Sequence, residues 1–207
     1  MTEHYFDAAP AAEFVPRRIG IELRGHELEV TTANAVFSGE RLDKATRILL
    51  DEVPDPPASG AALDLGCGWG PIALALGLAS PELDVWALDV NERALDLTRR
   101  NAAEHGLDRV RAVTAAEIPA GLEFDVIWSN PPIRIGKAAL DELLGAWLPR
   151  LAPGGEAWMV VGKNLGADSL QRRLGESLGE RFEVDRPATS GGFRILRVVR
   201  EGRSRNS

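Results

Sequence analysis

Ala62-Leu63-Asp64-Leu65-Gly66-Cys67-Gly68-Trp69-Gly70-Pro71 carries a short apolar strand into an acid, through three alternating glycines, and onto a proline that opens the apolar run 71–79. The spacing predicts a strand over 61–65 and a helix over 71–79. A chain that reverses from strand to helix in so few residues needs positive φ, and it needs no Cβ where a ligand approaches the backbone. Gly66, Gly68 and Gly70 supply both properties. Pro71 suits the first helical position, where its missing N–H costs nothing. The stretch reads as a nucleotide-binding turn.

Two ligand classes fit this turn. Gly68-x-Gly70-x-x-Ala73 satisfies the G-x-G-x-x-G/A dinucleotide fingerprint, and Asp89 lies downstream at about the spacing of a ribose-binding acid. The phosphate loop of nucleotide triphosphatases is excluded, because no Gly-Lys-Ser/Thr follows. A dinucleotide leaves Asp64 without a role. An adenosylmethionine site uses such an acid to organise the turn and the amino-acid end of the cofactor.

The second motif is Ser129-Asn130-Pro131-Pro132, directly after the apolar run 124–128. With it the chain resembles the class I S-adenosylmethionine-dependent methyltransferases that modify exocyclic or amide nitrogens. The run Asn130-Pro131-Pro132-Ile133-Arg134-Ile135-Gly136-Lys137 is similar to the single-domain branch of the ribosomal-RNA guanine-N2 methyltransferases, the RsmC-like "small methyltransferase" family. The likeness runs over roughly residues 4–200. It implies an α/β, Rossmann-like fold, with a seven-stranded, mostly parallel sheet, helices on both faces and a small N-terminal hairpin and helix cap.

The resemblance also implies roles. S-adenosylmethionine, leaving as S-adenosylhomocysteine, would be bound by Asp64, Gly66, Cys67, Gly68, Gly70, Asp89, Val90, Asn91, Glu117 and Asn130. Asn130, Pro131 and Pro132 would form the catalytic loop, with the Asn130 amide oxygen and the Pro131 carbonyl each accepting one N–H of the acceptor amine. Ile133, Arg134, Lys137 and Lys163 would contact the substrate, a guanine N2 amine of small-subunit ribosomal RNA, as free RNA or assembled subunit. Three departures stand out. Ile133 replaces the aromatic that many Asn-Pro-Pro enzymes stack on a flipped base. Ala35 and Ala45 stand where glycines are expected, close to the implied N-terminal contacts Phe37, Asp43 and Thr46.

Composition bounds the alternatives. A chain of 207 residues, 44% hydrophobic and 27% charged, suits one globular domain with a substantial core. No apolar run approaches the roughly 20 residues needed to span a bilayer. The N-terminus lacks the pattern of a secretory signal, and the single cysteine agrees with a reducing cytoplasm. Cys67 reads as a packing residue, since no partnered histidine is in view. His4, His26 and His105 have no metal-ligand spacing, so no metal is expected. The five tryptophans read as core or cofactor-edge residues. The net charge of −7 opposes a polyanionic substrate unless basic residues cluster. One such run is Arg194, Arg197, Arg200, Arg203 and Arg205, which a solvated terminus explains equally well. Glutamine methylation of a protein partner uses the same amide-like geometry and suits the acidic total better. A dinucleotide-dependent oxidoreductase and a cofactor-binding module without catalysis are the other classes.

The remaining chain divides into a cap at 1–55, a methyltransferase domain at 56–200 and a disordered tail at 201–207. Alternating residues on either side of Arg24-Gly25-His26 predict a β-hairpin, and 42–53 a helix. A proline-rich link covers 54–60. Beyond it, strands near 83–88, 109–113, 123–128 and 155–161 alternate with helices near 91–105, 137–150 and 167–178, which predicts a parallel sheet. Strands at 182–185 and 194–199 would close it as an antiparallel pair.

Overall fold

The computed structural model describes residues 14–34, 36 and 40–202. Ala35, Phe37, Arg203 and Arg205 lie outside that set. The chain opens with an antiparallel hairpin, β1 (Pro16–Leu23) and β2 (His26–Ala33), followed by helix α1 (Lys44–Glu52). Arg24 and Gly25 make the turn with φ of 49° and 85°, the left-handed pair that a two-residue hairpin connection requires. Arg24 is costly in that conformation. Its guanidinium, however, donates to the Leu50 and Val53 carbonyls at 2.8 and 3.1 Å, placing a cation on the C-terminal end of α1.

The main sheet is built from β3 (Ser59–Leu65), β4 (Glu82–Leu88), β5 (Val110–Val113), β6 (Phe124–Ser129), β7 (Leu151–Gly162), β8 (Phe182–Ser190) and β9 (Phe193–Arg200). Its seven strands run in the order β5-β4-β3-β6-β7-β9-β8, and β9 alone runs opposite to the other six. The chain moves outward from β3 to β5 and then returns to place β6 on the other side of β3. That reversal opens a crevice between the C-terminal ends of β3 and β6, where open α/β sheets bind ligands.

The helices are α2 (Pro71–Ala79), α3 (Glu92–Glu104), α4 (Lys137–Trp147) and α5 (Ala167–Ser177). Alternation along the strands divides the core in two. Ala62, Val85, Trp128 and Val160 point to one face, which α1, α2, α3 and the hairpin cover. Leu63, Leu65, Ile127 and Met159 point to the other, against α4 and α5. The hairpin and α1 thus share a core with the sheet. Asn101 of α3 accepts from Thr31 N–H at 2.7 Å and donates to the Thr31 and Trp69 carbonyls at 2.9 Å each, tying hairpin, helix and glycine turn together.

The alternating strand and helix pattern is present, and α2 has the bounds its apolar run predicts. Two strands are longer than expected. β7 starts at Leu151 and carries Pro153-Gly154-Gly155 within it, the ladder absorbing the extra residues in a register shift opposite Phe124 and Val126. β8 continues to Ser190, with a second shift between Asp185 and Ala188 around Pro187, which an edge strand tolerates. Ser59 and Gly60, read as the end of the link, already belong to β3. At the other end Glu201 N–H donates to the Arg181 carbonyl at 2.9 Å, extending the pairing one residue beyond β9.

Two glycines separate backbone constraint from mere smallness. Gly70 has a φ of 96°, and a Cβ there would lie 2.9 Å from Thr98 Oγ1 and 3.0 Å from its Cγ2. Gly145 is exposed in α4 with nothing within 4 Å. Gly70→Ala should therefore cost about 2 kcal/mol or more of unfolding free energy from the left-handed backbone and the contact together. Gly145→Ala should gain about 0.5–1 kcal/mol. Urea denaturation of the two variants checks both signs.

Candidate active site

The glycine turn closes on itself. Gly66, Gly68 and Gly70 adopt φ of 84°, 58° and 96°, so all three occupy the conformation that sequence reasoning assigned to them. Gly66 and Cys67 N–H both donate to the Leu88 carbonyl at 2.9 Å, and Gly70 N–H donates to the Cys67 carbonyl at 2.9 Å. Gly68 N–H donates to Asp89 at 2.9 Å, and Ala73 N–H, in the first turn of α2, donates to Asp64 at 2.9 Å. These donors are already used. A pyrophosphate bound at a helix N-terminus needs them free, so the turn does not offer the anion site of a dinucleotide fold.

Asp64 is fully buried at the end of β3, and its Oδ1 has no partner. Burial pushes its pKa well above the ordinary carboxylate value; the Ala73 bond opposes this and the charge of Asp89 adds to it. Asp89, after β4, accepts from Gly68 and Asn91 N–H, and burial raises its pKa as well. Val90 beside it is 58% exposed, an apolar surface left open at the rim. Asn91 is buried and caps α3, accepting from Arg93 N–H at 3.0 Å. The Cys67 thiol is buried against Thr98 and its pKa is pushed well up, chiefly by burial, which suits packing and not nucleophilic attack.

The second strand end is held just as firmly. Ser129 Oγ donates to the Leu65 carbonyl at 2.7 Å, coupling the end of β6 to the end of β3. Asn130 follows, with its Nδ2 donating to Asp43 Oδ1 at 2.9 Å and to Thr46 Oγ1 at 3.1 Å. Asp43, Thr46 and Asn130 line one cavity with Gly66, Cys67, Gly68, Trp69, Pro71 and Ile72. The Pro131 carbonyl accepts from Ile133 N–H at 2.8 Å, which leaves it one lone pair.

Other expected residues lie outside this cavity. Glu117, after β5, turns its carboxylate back onto Thr114 N–H and Oγ at 2.7 and 2.8 Å, and those bonds hold its pKa below the usual value. Ile133 is half-buried and packs into the core under α4. Arg134, Lys137 and Lys163 are exposed, and among the described residues no acid pairs with them. The C-terminal arginines behave differently. Arg194 pairs with Asp168, Arg197 with Asp185 and Glu156, and Arg200 with Glu123. From Arg194 to Arg200 this is a neutralised sheet surface and not a free basic stripe. Trp69, Trp128, Trp147 and Trp158 are core residues. Among the described residues no three His, Cys, Asp or Glu side chains gather as a metal-binding group, and no helix is long and apolar enough to cross a membrane.

The model of the methyltransferase small domain matches residues 27–197. The chain belongs to that family. It is an S-adenosylmethionine-dependent methyltransferase of the Rossmann-like class. Among its relatives, the uncharacterized protein YbxB of Bacillus subtilis is 32% identical over 87% of this chain and 91% of its own length. Ribosomal RNA small subunit methyltransferase C of Pseudomonas entomophila is 33% identical over 94% of this chain and 58% of its own. Among solved structures, the T. thermophilus 16S rRNA N2 G1207 methyltransferase (RsmC), in complex with AdoMet and guanosine, superposes with a TM-score of 0.76. It is 22% identical, over 94% of this chain and 52% of that one. The chain thus spans little more than half the length of these two methyltransferases.

The crevice fits that cofactor by its donor balance. The N–H groups of Gly66, Cys67, Gly68, Gly70 and Ala73 are spent inside the protein, and the carboxylates of Asp64 and Asp89 at the two flanking strand ends suit a ligand that brings an ammonium and ribose hydroxyls. A Cβ on Gly68 would meet no protein atom within 4 Å, so the backbone there faces open space. Sequence reasoning missed the contributions of Thr98, Asn101 and the Ser129 hydroxyl, whose partners lie 30 to 70 positions away in the chain.

The buried acid has a measurable signature. Asp64 holds its proton more tightly in the folded protein than in the unfolded chain. Its contribution to stability is full below the unfolded pKa of about 4 and is lost as pH rises through the raised folded value. Thermal unfolding across a pH series should show the wild type losing stability above pH 4 faster than Asp64→Asn, which has no such proton to give up. The Asp89 shift remains in both proteins and cancels.

Proposed function

We propose that the protein transfers the methyl group of S-adenosylmethionine to the exocyclic N2 amine of a guanine in small-subunit ribosomal RNA. The observation that carries this reading is the state of Asn130. Both its amide hydrogens face Asp43 and Thr46, so only its oxygen is left for a ligand in a cavity that includes the glycine turn. Such an oxygen accepts an N–H of an amine and orients the nitrogen lone pair. The remaining lone pair of Pro131 is the second acceptor in the same loop.

The cofactor supplies an activated methyl group when bound. The protein's part is to hold its amino-acid end near Asp64, its ribose at Asp89 and its adenine against Val90, and to present the acceptor nitrogen in line. Alignment of this kind contributes up to ~7–11 kcal/mol. No general base is needed before transfer, since the methylated amine becomes acidic and releases its proton afterwards. The RNA substrate is supported by the likeness to the Pseudomonas entomophila small-subunit enzyme over nearly the whole chain. It is also supported by the three unpaired cations, Arg134, Lys137 and Lys163, that follow β6 and β7. A base must leave its stack to enter, at a cost of a few kcal/mol that a loop or partly assembled particle reduces. Ile133 provides no exposed stacking face.

Incubation of the protein and labelled S-adenosylmethionine with small-subunit RNA, small subunits and a protein fraction, followed by nucleoside analysis, separates the substrate classes. Label is expected in N2-methylguanosine. Label in glutamine or in adenine alone would overturn the guanine assignment. Asn130→Ala should lower kcat by orders of magnitude and leave cofactor affinity nearly unchanged, because an interaction made in the transition state is lost. Asp89→Ala should do the reverse, weakening cofactor binding measured by calorimetry. Arg134→Ala and Lys137→Ala should each flatten the dependence of log binding on log salt by about 0.7–0.9.

A further inference from the structure

We propose that Asp43 and Thr46, at the start of α1, are positioning residues for methyl transfer, fixing the Asn130 amide in one orientation and strengthening its oxygen as an acceptor. The two orientations of an asparagine amide have nearly the same shape, and only hydrogen bonding separates them. A carboxylate accepts and cannot donate. With Asp43 Oδ1 at 2.9 Å and Thr46 Oγ1 at 3.1 Å, the nitrogen of Asn130 is held on the α1 side and the oxygen is turned away from it. In the flipped orientation an N–H would confront the N–H of the acceptor amine, and the lone pair would not be aligned.

Asp43 is itself immobilised. The same Oδ1 accepts from Ala45 and Thr46 N–H at 2.9 and 3.1 Å, so the carboxylate sits on the first turn of α1, where the helix dipole favours negative charge. Thr46 is buried. Ala45, where a glycine was expected, takes its place in the helix without disturbing these bonds. A hydrogen bond from an amide N–H to a charged acceptor also draws the amide toward the form with more negative charge on oxygen, and linked bonds of this kind reinforce one another. The N-terminal segment, 87 residues from Asn130 at Asp43, becomes part of the transfer machinery in addition to covering the sheet.

This inference rests on the reading of Asn130 as the residue that holds the acceptor amine, and the test separates the two. Asp43→Asn keeps a good helix cap and nearly the same volume but removes the charge. Thr46→Val keeps shape and removes the hydroxyl. Single-turnover transfer from labelled S-adenosylmethionine to small subunits lacking the mark is measured with calorimetric cofactor affinity and urea unfolding. Both variants should unfold like the wild type and bind cofactor within about twofold. The transfer rate should fall roughly tenfold in Asp43→Asn, the difference between a charged and a neutral acceptor, and less in Thr46→Val. In an Asn130→Ala background, Asp43→Asn should have no further effect, because it acts through the missing amide.

Wild-type rates in both single variants, with Asn130→Ala inactive, would overturn the positioning role and leave the proposed function standing. So would an equal loss in the Asn130→Ala background, or a loss confined to cofactor affinity. An active Asn130→Ala would instead overturn the reading of Asn130 itself.

Discussion

The Leu88 carbonyl accepts two N–H groups, from Gly66 and Cys67, and the crevice depends on that shared acceptor. Both lone pairs of one strand-end oxygen are used to hold the start of the glycine turn against the neighbouring strand. The turn can then spend its next donor on Asp89 and deliver Ala73 N–H to Asp64. Three left-handed glycines are the conformational cost of this closed circuit. The result is a turn flanked by two carboxylates, with open space over Gly68. It is chemically opposite to a phosphate loop, although the two look alike as strings of letters.

The reversal of strand order does for the second half of the site what Leu88 does for the first. Because β6 returns beside β3, the hydroxyl of Ser129 reaches the Leu65 carbonyl, and Asn130 emerges beside the turn. Helix α1, lying on the same face, supplies Asp43 and Thr46 from above. The buried polar groups here are costly alone and inexpensive together: most are hydrogen-bonded, and among the buried side-chain atoms described Asp64 Oδ1 and Trp128 Nε1 have no partner, while Arg194 Nε lies 2.8 Å from Asp168 Oδ1 without a well-aligned hydrogen bond.

Charge is arranged to the same end. The chain is acidic overall, and Arg194, Arg197 and Arg200 are spent on Asp168, Asp185, Glu156 and Glu123 at the antiparallel edge of the sheet. These half-buried arginines are thereby removed from any free electropositive surface. Arg134, Lys137 and Lys163 have no such partners and lie after the C-terminal ends of β6 and β7. From Arg194 to Arg200 the terminal strand therefore offers a polyanion little free positive charge.

Much of this was legible in order along the chain. The apolar run bounded by Gly70 and Ser80 dictated α2, because a helix needs only local periodicity and its stop signals. The three glycines announced their own φ values, since no other residue takes them cheaply. Asp89 and Asn130 could be placed just after strand ends because their distance from a strand end is a local property. What sequence could not supply was pairing. The docking of Asn101 onto Thr31, the coupling of Ser129 to Leu65, the neutralisation of Arg194 by Asp168 and the grip of Asp43 on Asn130 join residues 26 to 87 positions apart. Hydrogen bonds and ion pairs of this kind leave no periodic trace, because only one residue of each partner is involved. The sequence by itself determined the strands, the helices and which strand ends carry polar groups. The tertiary structure alone decided which of those groups face a ligand and which are consumed by one another.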